Sequence, residues 1–473
     1  MDKAVSRKTP HDRHDTPAPY HTPDERAVQG RLIRDSVPRS SQAGWKPPVS
    51  RRDVIEVLEE SNAGRLPRLI PIRFGRMSAS PFAFFRGAAA VMAADLATTP
   101  TSGLRVQACG DAHLMNFGGF ATPERNVIFD INDLDETLPA PFEWDLKRLA
   151  ASAVIAAQHL ELPYSDTLRL TRDLVRQYRE RMHDYAYMRA LDVWYDRIDL
   201  QKYQDKSGDP DVMESLRKRI SQRIEAERRK TVPEYLYPKL VTEQGRQPRI
   251  KDELPLIFHP DADLAPGLES GYAKAIQSYR ESLAEHVRVL FDRFHLVDLA
   301  LKVVGVGSVG TMCGVGLFMA SDNDPLFLQV KEARASVLEP YAGKSLYANH
   351  GQRVIEGQRI MQAASDVFLG WSRGENERDF YARQLRDMKM SVILEALDAG
   401  LLRQYVRMCA HALARAHARS GDAAMIAGYL GSGDTFDDAI TEFATEYSSQ
   451  NRQDYRELIR AIREGRIEAI TED

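Results

Sequence analysis

The spacing of apolar and polar positions divides the chain into segments of different texture. Residues 1–48 are rich in Pro, Arg, Asp, Ser and Thr and carry no periodic apolar pattern, which predicts a flexible or loosely docked tail. RRDVIEVLEESN at 51–62 predicts a first helix that ends before Gly64. Residues 81–96 predict a buried helix entered through Ser80-Pro81, with proline at its first position. The texture then turns to β. LRVQAC predicts a short strand, and NFGGFAT and NVIFDIN, parted by Pro123-Glu124-Arg125, predict a hairpin. From 145 to about 195, apolar residues return at helical spacing.

Residues 200–262 are highly charged and punctuated by Gly and Pro. Within them ESLRKRISQRIEAERRK predicts a solvated, ion-paired helix in a charged insertion. Residues 268–298 form another helical pattern. LKVVGVGSVGTMCGVGLFMASDNDPLFLQVKEA, from 301, predicts two or three antiparallel strands with a turn at Asp322-Asn323-Asp324-Pro325. A helix over 347–364 follows, then strands at DVFLGW and DFYARQL, then mostly helix from 391. The fold class is therefore α+β. Its parts are the tail (1–48), a mostly helical part (49–300), a small antiparallel β part (301–388) and C-terminal helices (389–473).

Composition narrows this only slightly. The 473 residues carry 64 Lys plus Arg against 68 Asp plus Glu, a net charge of −4, which excludes a generally basic nucleic-acid binder. Apolar residues at 43% and charged residues at 28% are those of an ordinary soluble globular protein. Cys109, Cys313 and Cys409 are too few and too scattered for a disulfide framework or a CxxC metal pair. No apolar run approaches the ~20 residues needed to span a bilayer, and MDKAVSRKTPHDRHD has no secretory character. A cytoplasmic protein without a membrane or nucleic-acid partner is expected.

Two segments carry chemistry. In Gly110-Asp111-Ala112-His113-Leu114-Met115-Asn116, the loop can aim Asp111 at a substrate hydroxyl. The Asn116 amide oxygen and a carboxylate from the far end of the hairpin, in Asp133-Leu134-Asp135, can share a divalent ion. A small set of hard oxygen ligands suits Mg²⁺. That is a phosphoryl-transfer arrangement, in which positioning and charge neutralisation do the catalysis. The second segment is Gly305-Val306-Gly307-Ser308-Val309-Gly310. It lacks the helix and the later acidic residue of a dinucleotide-binding βαβ unit. Lying between strand-like runs, it predicts a glycine-rich hairpin whose amides approach phosphates. Lys331, in the apolar strand FLQVKEA, is expected to pair with phosphate and with a carboxylate of the helix GQRVIEGQRIMQAA. Glu356 is the first choice, ahead of Glu339 and Glu332.

Taken together, these parts resemble the protein-kinase-like superfamily, above all its aminoglycoside phosphotransferase branch. GDAHLMN is similar to that branch's GDxHxxN catalytic loop. The resemblance implies Asp111 as catalytic base and Asn116 as metal ligand. Asp130 and Asp133 compete for the second metal-ligand role. Asp133 is preferred, because PFEWDL resembles the Pro-x-x-aromatic-Asp-Leu element that opens the next helix about twelve residues after the metal-binding Asp; Asp145 would then fix the catalytic loop. Gly305, Gly307, Gly310, Lys331 and Glu356 would correspond to the glycine-rich loop, the strand lysine and its helix glutamate, with Ser308 inside that loop. Gln384 and Leu385 would meet adenine. The motif order is inverted relative to a kinase, which implies a circular permutation, and Cys109 stands where a His is usual. LLRQYVRMCAHALARAHARSGD resembles the kinase helix that leads into the catalytic loop. The kinase-like resemblance also implies that 49–300 and 301–388 are a helical and a β lobe and that the C-terminal helices pack back on the helical lobe. At whole-chain level RMSASPFAFFRGAA, GDAHLMNFG, VGVGSVGT, LQVKEA and LARAHARSGD resemble an uncharacterised bacterial family, domain of unknown function 2252.

The expectation is an ATP- and Mg-dependent phosphotransferase of two-lobed, permuted kinase-like fold, acting on an unknown small-molecule or protein hydroxyl. The alternatives are a nucleotide-binding pseudokinase with a regulatory or scaffold role, and nucleotidyl transfer from the same pocket. Arg76 and Arg86 are expected to pair with a loop aspartate, with phosphate binding as their alternative role. His113 is expected to organise the loop, and His417 to pack or cap.

Overall fold

The computed structural model describes residues 20–203, 210–229, 232–244, 247–254, 256–259, 268–303, 305, 307, 309–374, 377–385 and 389–471. The architecture is mixed α+β, mostly helical with small antiparallel sheets. Among the described residues, no helix is long and apolar enough to cross a membrane.

The helix Phe142–His159 is the centre of the larger body. It is buried on every side from Phe142 to Ala157, as a helix surrounded by other helices must be. Around it pack Tyr164–Tyr187, Ala399–Ser420 and the long Thr435–Arg463. Two β pairs lie against this bundle. Arg105–Ala108 runs antiparallel to Leu138–Pro141, and the hairpin Phe117–Ala121/Val127–Ile131 forms as its sequence predicts.

The smaller body is a six-stranded antiparallel sheet. Its spatial order is Gly370–Arg373, Asp379–Gln384, Pro325–Ala333, Cys313–Met319, His295–Lys302 and Ile257–Phe258. The helix His350–Met361 packs on it. The sheet therefore begins before 301. The expected helix over 268–298 is two helices, Leu268–Ser282 and Glu285–Phe291, followed by the strand from His295. Part of the charged insertion also joins the sheet, where Ile257–Phe258 pairs with Leu301 and Lys302 as an edge strand.

Two further expectations change. Residues 1–19 of the expected tail lie outside the described residues, but Pro23–Ser36 is a helix opened by a Thr22/Glu25 capping box. It crosses Ala423–Leu430 very closely. A Cβ at Gly30 would lie 2.0 Å from the Met425 carbonyl oxygen, and one at Gly428 would lie 2.1 Å from that of Ala27. Contact through glycines leaves no apolar stripe to read. The single helix expected over 81–96 is broken at Ala88 into Pro81–Gly87 and Ala89–Leu96. The break releases the Gly87 carbonyl to Arg73 at 3.0 Å, and the Phe85 carbonyl accepts from Arg148 at 3.1 Å.

Candidate functional site

The strand Arg105–Ala108 delivers the chain into the loop that holds Asp111. Gly110 turns at φ +81°, and a Cβ there would meet the Glu136 carbonyl oxygen at 2.5 Å, so this turn requires glycine. Asp145 fixes the loop from the first turn of its helix. It accepts from the amides of Cys109 (2.5 Å) and Gly110 (2.9 Å). Behind it, His417 Nε2 stands 3.2 Å from Asp145, and His417 Nδ1 lies 2.8 Å from the Tyr178 hydroxyl. The loop closes where Asn116 Nδ2 donates to the Asp111 carbonyl at 2.8 Å. The Asn116 Oδ1 makes no hydrogen bond among the described residues.

The Asp111 side chain remains 18% exposed. Arg148 Nε and Nη2 reach its Oδ1 at 2.7 and 2.5 Å. The loop aspartate's partner is thus Arg148, from the central helix, and neither Arg76 nor Arg86. His113 is buried 3.8 Å from the other oxygen of Asp111. Burial pushes its imidazole down to about 3, so it is neutral near pH 7.

The hairpin separates the two competing aspartates. Asp130 is 0% exposed and bonded to Arg415 (2.6 Å) and to the amides of Ala363 and Ile131 (2.8 Å each). It does not line the cleft and is structural, which corrects its candidacy as a metal ligand. Asn132 donates its amide to the Asn116 carbonyl at 2.7 Å, so Asp133 leaves the hairpin next to Asn116. Its side chain is 33% exposed, with Lys331 at 3.6 Å. Burial and the neighbouring Asp135 raise its pKa.

Lys331 comes from the middle of the sheet and is 3% exposed. Its ammonium contacts Asp135 at 2.6 Å, and the Tyr381 hydroxyl donates to the same carboxylate. Burial alone would raise Asp135, but Lys331 and Tyr381 hold it below the ordinary carboxylate range. Against the burial that would lower it, Asp133 and Asp135 hold Lys331 protonated. Glu356 does not meet this lysine. It pairs with Arg359 at 3.0 Å, away from the cleft. Glu332 accepts from the Met312 amide at 3.0 Å, and Glu339 lies 3.7 Å from His350. The helix His350–Met361 reaches the site through Arg353 instead, whose Nη2 donates to the carbonyls of Asp135 and Arg334 at 2.8 Å each.

Gly305 and Gly307 line the cleft above these groups. Gly310, at φ +88°, packs against Arg65, and its carbonyl accepts from the Leu66 amide at 2.7 Å. Ser308 lies outside the described residues. Gln384 and Leu385 line the far end, where the Leu385 amide donates to the Phe327 carbonyl at 2.9 Å and that of Gln384 to Asp366. The whole is one cleft of ≈ 1140 Å³ between the two bodies, and Asp111, Asn116, Asp133 and Lys331 all face it.

Tyr381, Arg383 and Arg148 were not singled out from the sequence, and Asp135 entered only as a member of the Asp133-Leu134-Asp135 triplet, with no role as the partner of Lys331. A signal existed for three of them. Gln329 and Lys331 alternate along one strand and pair in register with Arg383 and Tyr381 of the next, a polar period of two inside apolar strands. Asp135 closes the Asp-Leu-Asp triplet. Arg148 sits on an otherwise apolar helix and gave no such sign.

A mixed α+β protein with a polar cleft between a helical body and a small antiparallel sheet is the class these observations define. Residues 65–461 match the family described as "Uncharacterized protein conserved in bacteria (DUF2252)", and the chain belongs to that family. No curated protein and no solved structure matches it.

Proposed function

We propose that this chain is an ATP- and Mg-dependent phosphotransferase of permuted, kinase-like organisation, acting on a small-molecule or protein hydroxyl. The observation that carries the reading is the convergence of Lys331 with Asp133 and Asp135 in the cleft that also presents Asp111 and Asn116. Strand order supports it. Counting from His295–Lys302, the glycine-rich turn follows the first strand, Lys331 lies on the third, and a helix comes next, as in protein kinases. Spatial continuity supports the permutation. The end of helix Ala399–Ser420 abuts the strand into the loop, with the Gln107 amide donating to Ser420 Oγ at 3.1 Å. Three buried free cysteines suit a reducing cytoplasm.

The residues fit both groups. Asn116 Oδ1 has spare acceptor capacity, and Asp133 is a carboxylate short of positive charge; together they would hold magnesium through oxygen. Lys331 and the backbone at Gly305 and Gly307 would face the phosphates. Gln384 and Leu385 would face the base. A bound nucleotide supplies the phosphoryl group, and magnesium neutralises its charge. Asp111 accepts the proton of the acceptor hydroxyl. Asp135 positions Lys331 in place of the helix glutamate.

One observation favours a nucleotide-binding pseudokinase: Arg148 takes Asp111 Oδ1 with two donors. The deciding experiment follows γ-phosphate release or transfer in wild type and Asp111→Asn, with mass spectrometry of any modified product. Turnover that falls at least about 100-fold in the variant supports the phosphotransferase. Binding without turnover in wild type selects the pseudokinase, and a nucleotidyl mass increment selects nucleotidyl transfer.

A further inference from the structure

One wall of the cleft holds arginines that make no ion pair among the described residues, although Glu136, Glu332 and Asp111 lie in the same cleft. Arg73 is only 2% exposed, yet its bonds go to neutral groups: Nη1 to Asn62 Oδ1 at 2.5 Å and Nη2 to the Gly87 carbonyl at 3.0 Å. Its Nε is buried and unpartnered among the described residues. Arg65 donates to the carbonyls of Ser61 (3.1 Å) and Val309 (2.5 Å), and Arg334 to that of Ala63. Arg86 makes no hydrogen bond or ion pair among the described residues, and its Nε is buried. All four line the cleft together with Asp111.

Arg353, outside the wall, likewise bonds only carbonyls, but four other enclosed arginines are ion-paired. Arg51, Arg148, Arg179 and Arg415 each meet a carboxylate at 2.8 Å or closer. On the wall, burial and then Arg334 lower the pKa of Arg65 to about 10, against Glu136 and Glu332, which raise it, and burial with Arg65 and Arg334 lowers that of Arg73 well below its ordinary value. Buried charge without a partner is costly. An oxyanion in the cleft removes that cost, and guanidinium donors match its geometry.

The wall touches the glycine-rich turn, where Arg65 donates to Val309, but the division of roles favours the acceptor over the nucleotide as source of that anion. Lys331 and the glycine-rich turn already serve the nucleotide phosphates in the proposed function. Arg148 ties Asp111 Oδ1 to the Phe85 carbonyl, so Arg86 is the residue next to the segment that anchors the proposed base. We infer that the Arg65–Arg73–Arg86–Arg334 wall binds an anionic group of the acceptor, making the substrate a hydroxyl compound that also bears a phosphate or a carboxylate. This inference rests on the phosphotransferase reading for the word acceptor, though not for the anion site itself.

Calorimetry on the full chain tests it, with glycerol 3-phosphate, glycerate and glycerol as probes. Each is titrated with and without saturating Mg²⁺ and a non-hydrolysable ATP analogue, on wild type, Arg86→Gln and Arg334→Gln. Thermal unfolding checks that each variant is folded, and the second variant serves if the first is not. The expected result is binding of glycerol 3-phosphate or glycerate but not glycerol. That binding should persist beside the analogue and weaken at least about tenfold in the variants, while analogue affinity stays within about twofold. Whichever anion binds identifies the acceptor's charged group as phosphate or carboxylate. Exclusion of the anion by the analogue, equal affinity in the variants, or no anion binding overturns the inference. Anion binding that depends on Arg86, in a protein that binds no nucleotide, keeps the site and overturns the phosphotransferase reading.

Discussion

Asp130 and Asp133 are three residues apart, and the fold uses them in opposite ways. Asp130 points into the helical body, where Arg415 and two backbone amides saturate it at 0% exposure. Asp145 belongs with it, saturated by two loop amides and backed by His417. Asp133 points into the cleft with one ion-pair contact at 3.6 Å among the described residues, and Asp111 shares one oxygen with Arg148 while part of its side chain stays exposed. Beneath the loop, carboxylates are spent on holding geometry. Above it, they keep acceptor capacity in reserve. A site for a cation or a proton needs both kinds: rigid supports, and oxygens that the supports do not consume.

The sharpest break of this comparison is Asp130→Asn. It leaves Arg415 charged in the core and should cost about 3–5 kcal/mol in denaturant unfolding. An unchanged midpoint would erase the distinction between the two classes. Asp135→Ala comes next. Lys331 loses its 2.6 Å partner while Asp133 remains at 3.6 Å, so a loss of about 2 kcal/mol is expected, together with weaker nucleotide binding.

Asp133→Asn should act in the other direction. The folded-state pKa of Asp133 is raised, so its proton is bound more tightly folded than unfolded. Its contribution is full below the unfolded pKa and is lost as pH rises through the folded one. Removing the charge should therefore stabilise the ligand-free protein by about 1 kcal/mol at pH 7, with the gain vanishing in acid. Destabilisation at pH 7 would place Asp133 with the supports. His113 gives the smallest effect at neutral pH. Its pKa, about 3 against 6.5 for the free side chain, makes its stabilisation full above pH 6.5 and lost as pH falls toward 3. His113→Gln should leave Tm at pH 7 within about 1–2 °C and flatten the acid limb of the Tm–pH curve.

Elements with a strong period were legible in the sequence. The hairpin around Pro123-Glu124-Arg125, the strand holding Lys331 and the helix from His350 all form near the positions their patterns predict. The helix Pro23–Ser36 was not legible, because glycine crossings and arginine-to-carbonyl bonds dock it instead of an apolar stripe. In the site, motif spacing brought Asp111, Asn116, Asp133 and Lys331 to one cleft. It failed for Glu356, because a carboxylate on a helix face has several cations within reach and here Arg359 on the same helix takes it. It also failed for Arg148 and the arginine wall, whose partners are remote in sequence and partly backbone carbonyls. Local patterns carry no record of such pairings.

The most direct test of the division between supporting and reserved carboxylates is calorimetric titration of ATP with and without Mg²⁺, on wild type and Asp133→Asn. The account predicts Mg-dependent binding in wild type that falls at least about tenfold in the variant, with the variant at least as stable as wild type. Equal Mg-dependent binding in both proteins, or no binding in wild type under either condition, would contradict it.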